Sequence, residues 1–88
     1  MKLKYKFEIM EMEDGYVAVP IGEDADKLHS IINLNESSYQ IFEILKEETT
    51  MEKVVDALLE KYEVPVEEMD RIVRTYIQQL QKDGLLEA

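Results

Sequence analysis

The chain has 88 residues, 45% of them hydrophobic, and 20 acidic against 10 basic residues give a net charge of −10 at neutral pH. This length and composition fit one packed domain and exclude wholesale disorder. The chain contains no cysteine, which excludes disulfides, thiolate metal sites and cysteine nucleophiles.

The acid excess argues against a nucleic-acid binder, because such proteins neutralise phosphates with lysine and arginine. No run of apolar residues approaches the roughly 18 needed to span a membrane. Charges alternate with apolar residues over positions 1–6, which does not fit a signal peptide. These features predict a cytoplasmic protein.

The first third of the chain predicts three strands, over residues 2–12, 15–21 and 28–34. Apolar and charged residues alternate through the first nine positions, as in a half-buried strand. The alternation then slips, which predicts a bulge or strand end near Met10. Asp14-Gly15 predicts a tight hairpin turn.

Two features mark the second half of this region. Pro20 cannot donate to a strand ladder, so it is expected at the end of the second strand. Residues 22–27 read as a polar loop, and the third strand that follows carries no formal charge apart from what His29 acquires. Short loops between the three strands predict an antiparallel meander.

The remainder predicts three helices, over residues 36–47, 50–62 and 65–83. Asn35 is a favourable N-cap for the first, and Thr49 with Glu52 forms a capping box for the second. Pro65 suits the first turn of the third helix. Gly84 suits its C-terminal end, after which Leu85-Leu86 can fold back onto the core.

Strands followed by helices predict an α+β domain. An N-terminal three-stranded antiparallel sheet followed by three helices contains the parts of a winged helix-turn-helix. Fold alone does not set function.

The histidine, the serines and the glycines of this chain do not occur in sequence motifs typical of catalytic or cofactor-binding sites. His29 is the only histidine, so a histidine metal site has no second ligand. The serines lie outside any nucleophile elbow, and the three glycines are isolated rather than grouped in a phosphate-binding loop. We therefore expect no metal, no nucleotide or other cofactor, and no enzymatic activity from the chain alone.

Two segments stand out as binding surfaces. Residues 71–82 contain Arg71, Arg74 and Lys82 but no acid, and a helix would project these cations to one broad face. An anionic partner would suit that face. If the uncharged third strand lies at the edge of the sheet, its free backbone groups can pair with a strand of another chain. A bound peptide that adds a strand to this edge would satisfy those groups.

The sequence from about Gly15 to the C-terminus resembles the PqqD-like family. Leu34-Asn35-Glu36-Ser37, followed by Ile41-Phe42 and Ile44-Leu45, is similar to the family's "LNET…IW..L" signature. Ser38-Tyr39 and Phe42 stand where Gly-Ala and Trp are usual, and Ile72 stands where an acidic residue is common. The resemblance implies one PqqD-like peptide-binding domain over residues 1–88.

Members of this family are RiPP recognition elements, which bind the leader of a ribosomally made precursor peptide and present it to a modifying enzyme, often a radical-SAM enzyme. The resemblance implies a groove between the third predicted strand and the third predicted helix. We expect the leader to pair with this strand by β-strand addition, and we expect Arg71 and Arg74 to select acidic leader residues. The predicted peptide-binding residues are His29, Ser30, Ile31, Ile32, Asn33, Arg71, Arg74, Ile77, Gln78 and Gln81. Two alternatives remain at this stage: a winged-helix nucleic-acid binder and a dimerising regulatory module without a peptide ligand.

Overall fold

The computed structural model describes residues 1–28 and 31–87. Within these ranges the chain forms five strands and four helices. In chain order they are β1 (Lys2–Leu3), β2 (Phe7–Met12), β3 (Gly15–Pro20), α1 (Asp24–Lys27), β4 (Ile32–Leu34), α2 (Glu36–Ile44), α3 (Met51–Leu59), α4 (Val66–Lys82) and β5 (Leu86–Glu87).

The principal sheet is antiparallel and has the strand order β2-β3-β4. The helices α2, α3 and α4 follow it in sequence, which confirms the predicted α+β fold class. Both β2 and β4 are edge strands of this sheet. Pro20 ends β3, as its missing N–H requires.

The predicted strand over residues 2–12 is interrupted. Its first part, β1, pairs with β5 in a separate two-stranded sheet, with Leu3 opposite Leu86. The second part, β2, runs in unbroken register with β3 from Phe7–Pro20 to Met12–Gly15, so the bulge expected near Met10 is wrong. Met10 and Met12 instead lie on the outer face of the sheet, where they are 45% and 55% exposed.

The polar loop expected over residues 22–27 contains the one-turn helix α1. Asp24 at its start accepts a hydrogen bond from the Lys6 backbone N–H through Oδ2, at 2.7 Å. This contact fixes the loop against the segment between β1 and β2.

The helix starts follow local capping chemistry. The Asn35 side chain accepts a hydrogen bond from the Ser38 N–H at 2.8 Å, which confirms Asn35 as the N-cap of α2. In α3 the N-cap is Thr50, whose Oγ1 accepts from the Lys53 N–H at 3.3 Å, rather than Thr49. Thr49 is held elsewhere, because its backbone exchanges hydrogen bonds of 2.9 and 3.0 Å with Met1.

The end of α4 returns the chain to the core. Gly84 has φ +75°, the left-handed conformation that glycine favours after a helix. The N–H groups of Gly84 and Leu85 bond to the carbonyls of Gln81 and Leu80 at 3.0 and 2.9 Å. Leu85 is 5% exposed as a result, and β5 follows directly.

The centre of the molecule is filled by the apolar faces of α2, α3 and α4. The largest fully buried side chains come from these three helices and from the C-cap residue of α2, Leu45: Ile41, Phe42, Leu45, Val54, Leu58, Val73 and Ile77. Phe7 of β2 contacts Phe42 edge to face, with ring centroids 5.1 Å apart. The sheet thus covers one side of a helical core.

Gly15 is required at the start of β3, and replacing it with alanine is expected to lower the free energy of unfolding by about 1–3 kcal/mol. Its φ is +144°, and an added Cβ would lie 2.7 Å from the Leu34 carbonyl oxygen of β4. Gly22→Ala is the matched control, because Gly22 also has a positive φ but no atom lies within 4 Å of its added Cβ. Urea unfolding of both variants tests the close approach, and equal losses would show that only φ matters.

Candidate functional site

The exposed edge of β4 is the first part of the candidate site. Ile31, just before the strand, is 65% exposed, and Asn33 is also exposed, whereas Leu34 is 4% exposed and packs in the core. Ile32 is half-buried on the same face as Leu34. Over residues 31–34 the side chains therefore divide into an apolar inner face and an exposed outer face.

A depression of about 270 Å³ separates this strand from the C-terminal end of α4. Leu28 and Ile32 line one side, and Asp83 and Leu85 line the other. The apolar side chains at its base are half-buried or buried. An apolar side chain of suitable size would fit this space.

A second cavity, of about 450 Å³, lies between the start of α2 and the middle of α4. From the α2 side it is lined by Asn35, Ser37 and Ser38. From the α4 side it is lined by Arg71, Ile72, Thr75, Tyr76 and Gln79. Every lining residue except Ile72 carries a polar group.

One flank of α4 connects the two spaces. At about 100° per residue, Ile72, Tyr76, Gln79 and Asp83 fall within roughly 60° of one another, and at 1.5 Å per residue they extend over roughly 17 Å. Because β4 runs directly into Asn35 at the cap of α2, the strand edge leads from one space to the other. The two spaces therefore lie in line along one flank of α4, and together we call them the β4–α4 groove.

The start of α2 is held against the sheet by an aromatic contact. The rings of Tyr16 and Tyr39 stack with centroids 3.9 Å apart and an interplanar angle of 5°. The Tyr16 hydroxyl donates a 2.8 Å hydrogen bond to Oε2 of Glu36. This bond to a carboxylate raises the pKa of Tyr16 to about 12. The contact fixes the α2 wall of the groove relative to β3.

Tyr76 is the buried polar group of the α4 wall of the groove. Its hydroxyl has no hydrogen-bond partner among the described residues, although the oxygen is shielded from solvent. Burial raises the pKa of Tyr76 to about 12, and the Asp83 carboxylate adds to the rise. The Ser38 hydroxyl lies close enough to lower this pKa in part, but the two groups do not meet in the geometry of a hydrogen bond. At neutral pH the phenol is therefore protonated and retains a hydrogen to donate.

Tyr76→Phe is expected to leave the free energy of unfolding at neutral pH unchanged or raised by up to about 1 kcal/mol, since it removes an unsatisfied buried hydroxyl. The pH dependence should also change. The pKa of Tyr76 is about 12 in the folded state and 10.0 in the unfolded state. This difference stabilises the native state below pH 10, and the stabilisation is lost as the pH rises from 10 to 12. Urea unfolding of the parent and Tyr76→Phe at pH 8 and pH 11 measures both effects. A loss with pH that is equal in the two proteins would contradict this account.

Only some of the predicted peptide-binding residues lie at the groove. Ile31, Ile32 and Asn33 lie at the open strand edge, and Arg71 lines the larger cavity. Ile77 is 1% exposed and belongs to the core, so its side chain does not reach the groove surface. His29 and Ser30 lie outside the described residues.

The other three predicted residues lie away from the cavity. Arg74 and Gln81 do not line the cavity: on a helical wheel they lie roughly 60° and 80° from Arg71, on the side away from Tyr76 and Gln79. Gln78 is exposed and does not line the cavity. Arg74 also pairs with Asp70 on its own helix at 3.3 Å. Of the two predicted arginines, only Arg71 lines the cavity.

Sequence reasoning missed most of the cavity wall, including Asn35, Thr75, Tyr76 and Gln79. By their spacing, Ile72 and Tyr76 belong to the apolar stripe of the helix, and that pattern alone predicts that they lie in the core. The available signal was the width of that stripe, since Met69, Val73, Ile77 and Leu80 already fill the buried face. Apolar residues beyond that face indicate a second contact surface.

The described part of the chain contains no cluster of three or more histidine, cysteine, aspartate or glutamate residues arranged to hold a metal ion. Over residues 1–28 and 31–87, no helix has the length and apolar character to cross a membrane.

Comparison with known proteins identifies relatives of this fold. Residues 15–86 match the family model described as coenzyme PQQ synthesis protein D (PqqD). Among solved structures, TbiB1 in complex with the TbiA(beta) leader peptide is similar with a TM-score of 0.75 and 23% sequence identity, covering 100% of this chain and 96% of that one. Lasso peptide synthetase B1 complexed with the leader peptide is similar with a TM-score of 0.71 and 18% identity, covering 99% and 96%. Comparison with curated protein sequences gave no significant match.

Proposed function

Because this chain belongs to the PqqD family, we propose that it is a RiPP recognition element: a non-catalytic adaptor that binds the leader of a ribosomally made precursor peptide. The observation that carries the proposal is the open edge of β4 beside the β4–α4 groove. Two structures of similar fold are complexes with leader peptides, which supports a peptide ligand here.

The mechanism that the geometry supports is β-strand addition. A leader segment pairs through its main chain with β4, and its alternate side chains point into the groove. Main-chain pairing supplies affinity without demanding a fixed sequence, and the two spaces along α4 supply selectivity. Such a site orders a flexible peptide while leaving the rest of the precursor accessible.

The second partner in this proposal is the modifying enzyme that receives the bound precursor. The family's association with coenzyme PQQ synthesis supports a radical-SAM enzyme in this role. The adaptor would act in the cytoplasm, where the precursor is translated.

The experiment that tests the proposal is a titration of a fluorescently labelled leader from a ribosomally made precursor peptide, followed by fluorescence anisotropy. We expect saturable binding with a stoichiometry of one peptide per chain. A mobility-shift assay with duplex DNA at low salt, and light scattering without peptide, test the two alternatives. Tight salt-sensitive DNA binding, or a dimer that leaves leader anisotropy unchanged, would overturn the proposal.

A further inference from the structure

We propose that the larger cavity of the β4–α4 groove binds the carboxylate of an aspartate or glutamate side chain of the bound peptide, through Arg71 and the hydroxyl of Tyr76. The inference rests on the proposed peptide-binding function and names the chemical class of residue that this cavity selects. Three observations support this inference: the positive charge of the cavity lining, the Tyr76 hydroxyl without a hydrogen-bond partner, and the position of the cavity beside β4.

The charge of the cavity opposes that of the chain. Its lining contains Arg71 and no acidic residue, whereas the whole protein carries a net charge of −10. Arg71 forms no ion pair with any described residue, while Arg74, one turn further along the same helix, is paired with Asp70. An unpaired guanidinium in an acidic protein favours an anion from outside the chain.

The hydrogen-bonding groups also fit an acceptor. The Tyr76 hydroxyl is protonated at neutral pH. Ser38 is its near neighbour but forms no hydrogen bond with it, and no other described residue does so. On the opposite wall, Ser37 donates from Oγ to the Asn35 side-chain oxygen at 3.1 Å, so that acceptor is already engaged. An incoming carboxylate brings acceptors only, which is the complement of the groups left free.

The position of the cavity connects it to the strand edge. Asn35, in its lining, directly follows Leu34, the last residue of β4. A peptide strand paired with β4 therefore passes the mouth of the cavity, and one in two of its side chains points to the α4 side. The volume of about 450 Å³ accommodates a carboxylate side chain together with water.

The test needs no knowledge of the natural leader. Displayed libraries of short random peptides are selected in parallel on the parent protein, Arg71→Glu and Arg74→Glu. Arg74→Glu is the matched control, because it makes the same charge change on α4 away from the cavity. We expect Asp or Glu at one fixed position in peptides selected on the parent and on Arg74→Glu. Arg71→Glu should lose this preference or exchange it for Lys or Arg.

A peptide from the parent selection then measures the contact. Replacing its fixed Glu by Gln should weaken binding to the parent about 10-fold, and less at high salt. Tyr76→Phe should weaken binding of the Glu peptide about 5-fold, as expected for one lost hydrogen bond.

The outcomes separate this inference from the proposed function. Selected peptides that need an intact β4 edge but show no acidic preference would overturn the carboxylate assignment and leave peptide binding in place. An acidic preference that Arg71→Glu and Arg74→Glu alter equally would show a long-range charge effect and also overturn it. Failure to select any peptide would contradict both proposals.

Discussion

Replacing Phe42 by alanine is expected to lower the free energy of unfolding by about 3–5 kcal/mol. Phe42 is fully buried on α2 and contacts the ring of Phe7 edge to face, so the change empties a site between the helical core and the sheet. The loss is a large part of the roughly 5–10 kcal/mol that stabilises a domain of this size. Thermal unfolding should show a decrease in Tm of more than about 10 °C.

Two further variants make this result interpretable. Leu58→Ala removes a fully buried side chain of α3 and should cost about 2–5 kcal/mol. Asp56→Ala changes an exposed residue of the same helix and should stay within about ±0.5 kcal/mol. Neither Phe42 nor Leu58 lines the groove, so peptide affinity measured well below Tm should be preserved. A Tm within a degree or two of the parent for Phe42→Ala would show that the core is elsewhere.

The order and type of the long elements were predictable because their signals are local. The caps and breakers Asn35, Pro65 and Gly84 set helix ends through contacts within a few residues. The hairpin at Gly15 follows because glycine accepts a positive φ, and β3 ends at Pro20 because proline has no N–H to donate. These predictions needed no knowledge of the rest of the fold.

The division of the N-terminal strand was not predictable from the same signals. Apolar and charged residues alternate through β1, the intervening segment and β2 without a break. The interruption arises because Leu3 pairs with Leu86 in β5 and also donates its N–H to the Leu45 carbonyl at 2.8 Å. Contacts between residues this distant in sequence leave no mark in local periodicity.

The candidate site was predicted at the level of segments but not of side chains. The strand and the helix that border the groove were identified, but the flank of the helix was not. Arg71 and Arg74 project to similar directions on a helical wheel, so charge alone made them equivalent. Asp70 breaks that equivalence, since it lies four residues before Arg74 and pairs with it. This spacing is visible in the sequence.

Ile31→Pro is expected to abolish peptide binding, with a loss of at least about 100-fold, if the peptide pairs with β4. Proline removes a backbone N–H and fixes φ immediately before the strand, at a residue that is 65% exposed and contributes little to the core. Ile31→Ala is the matched control, because it removes the side chain and keeps the N–H. Anisotropy titration of a labelled peptide against both variants separates main-chain pairing from side-chain contact.

Each outcome of this comparison assigns the binding mode. We expect Ile31→Ala to retain affinity within about 5-fold, since main-chain bonds supply most of the attachment in β-strand addition. Both variants must unfold cooperatively with a Tm near that of the parent, which excludes general loss of structure. Equal losses for proline and alanine would indicate that the peptide contacts the Ile31 side chain rather than the backbone. Full affinity in a folded Ile31→Pro would place the peptide away from the β4 edge, and the main-chain pairing mechanism would then be wrong.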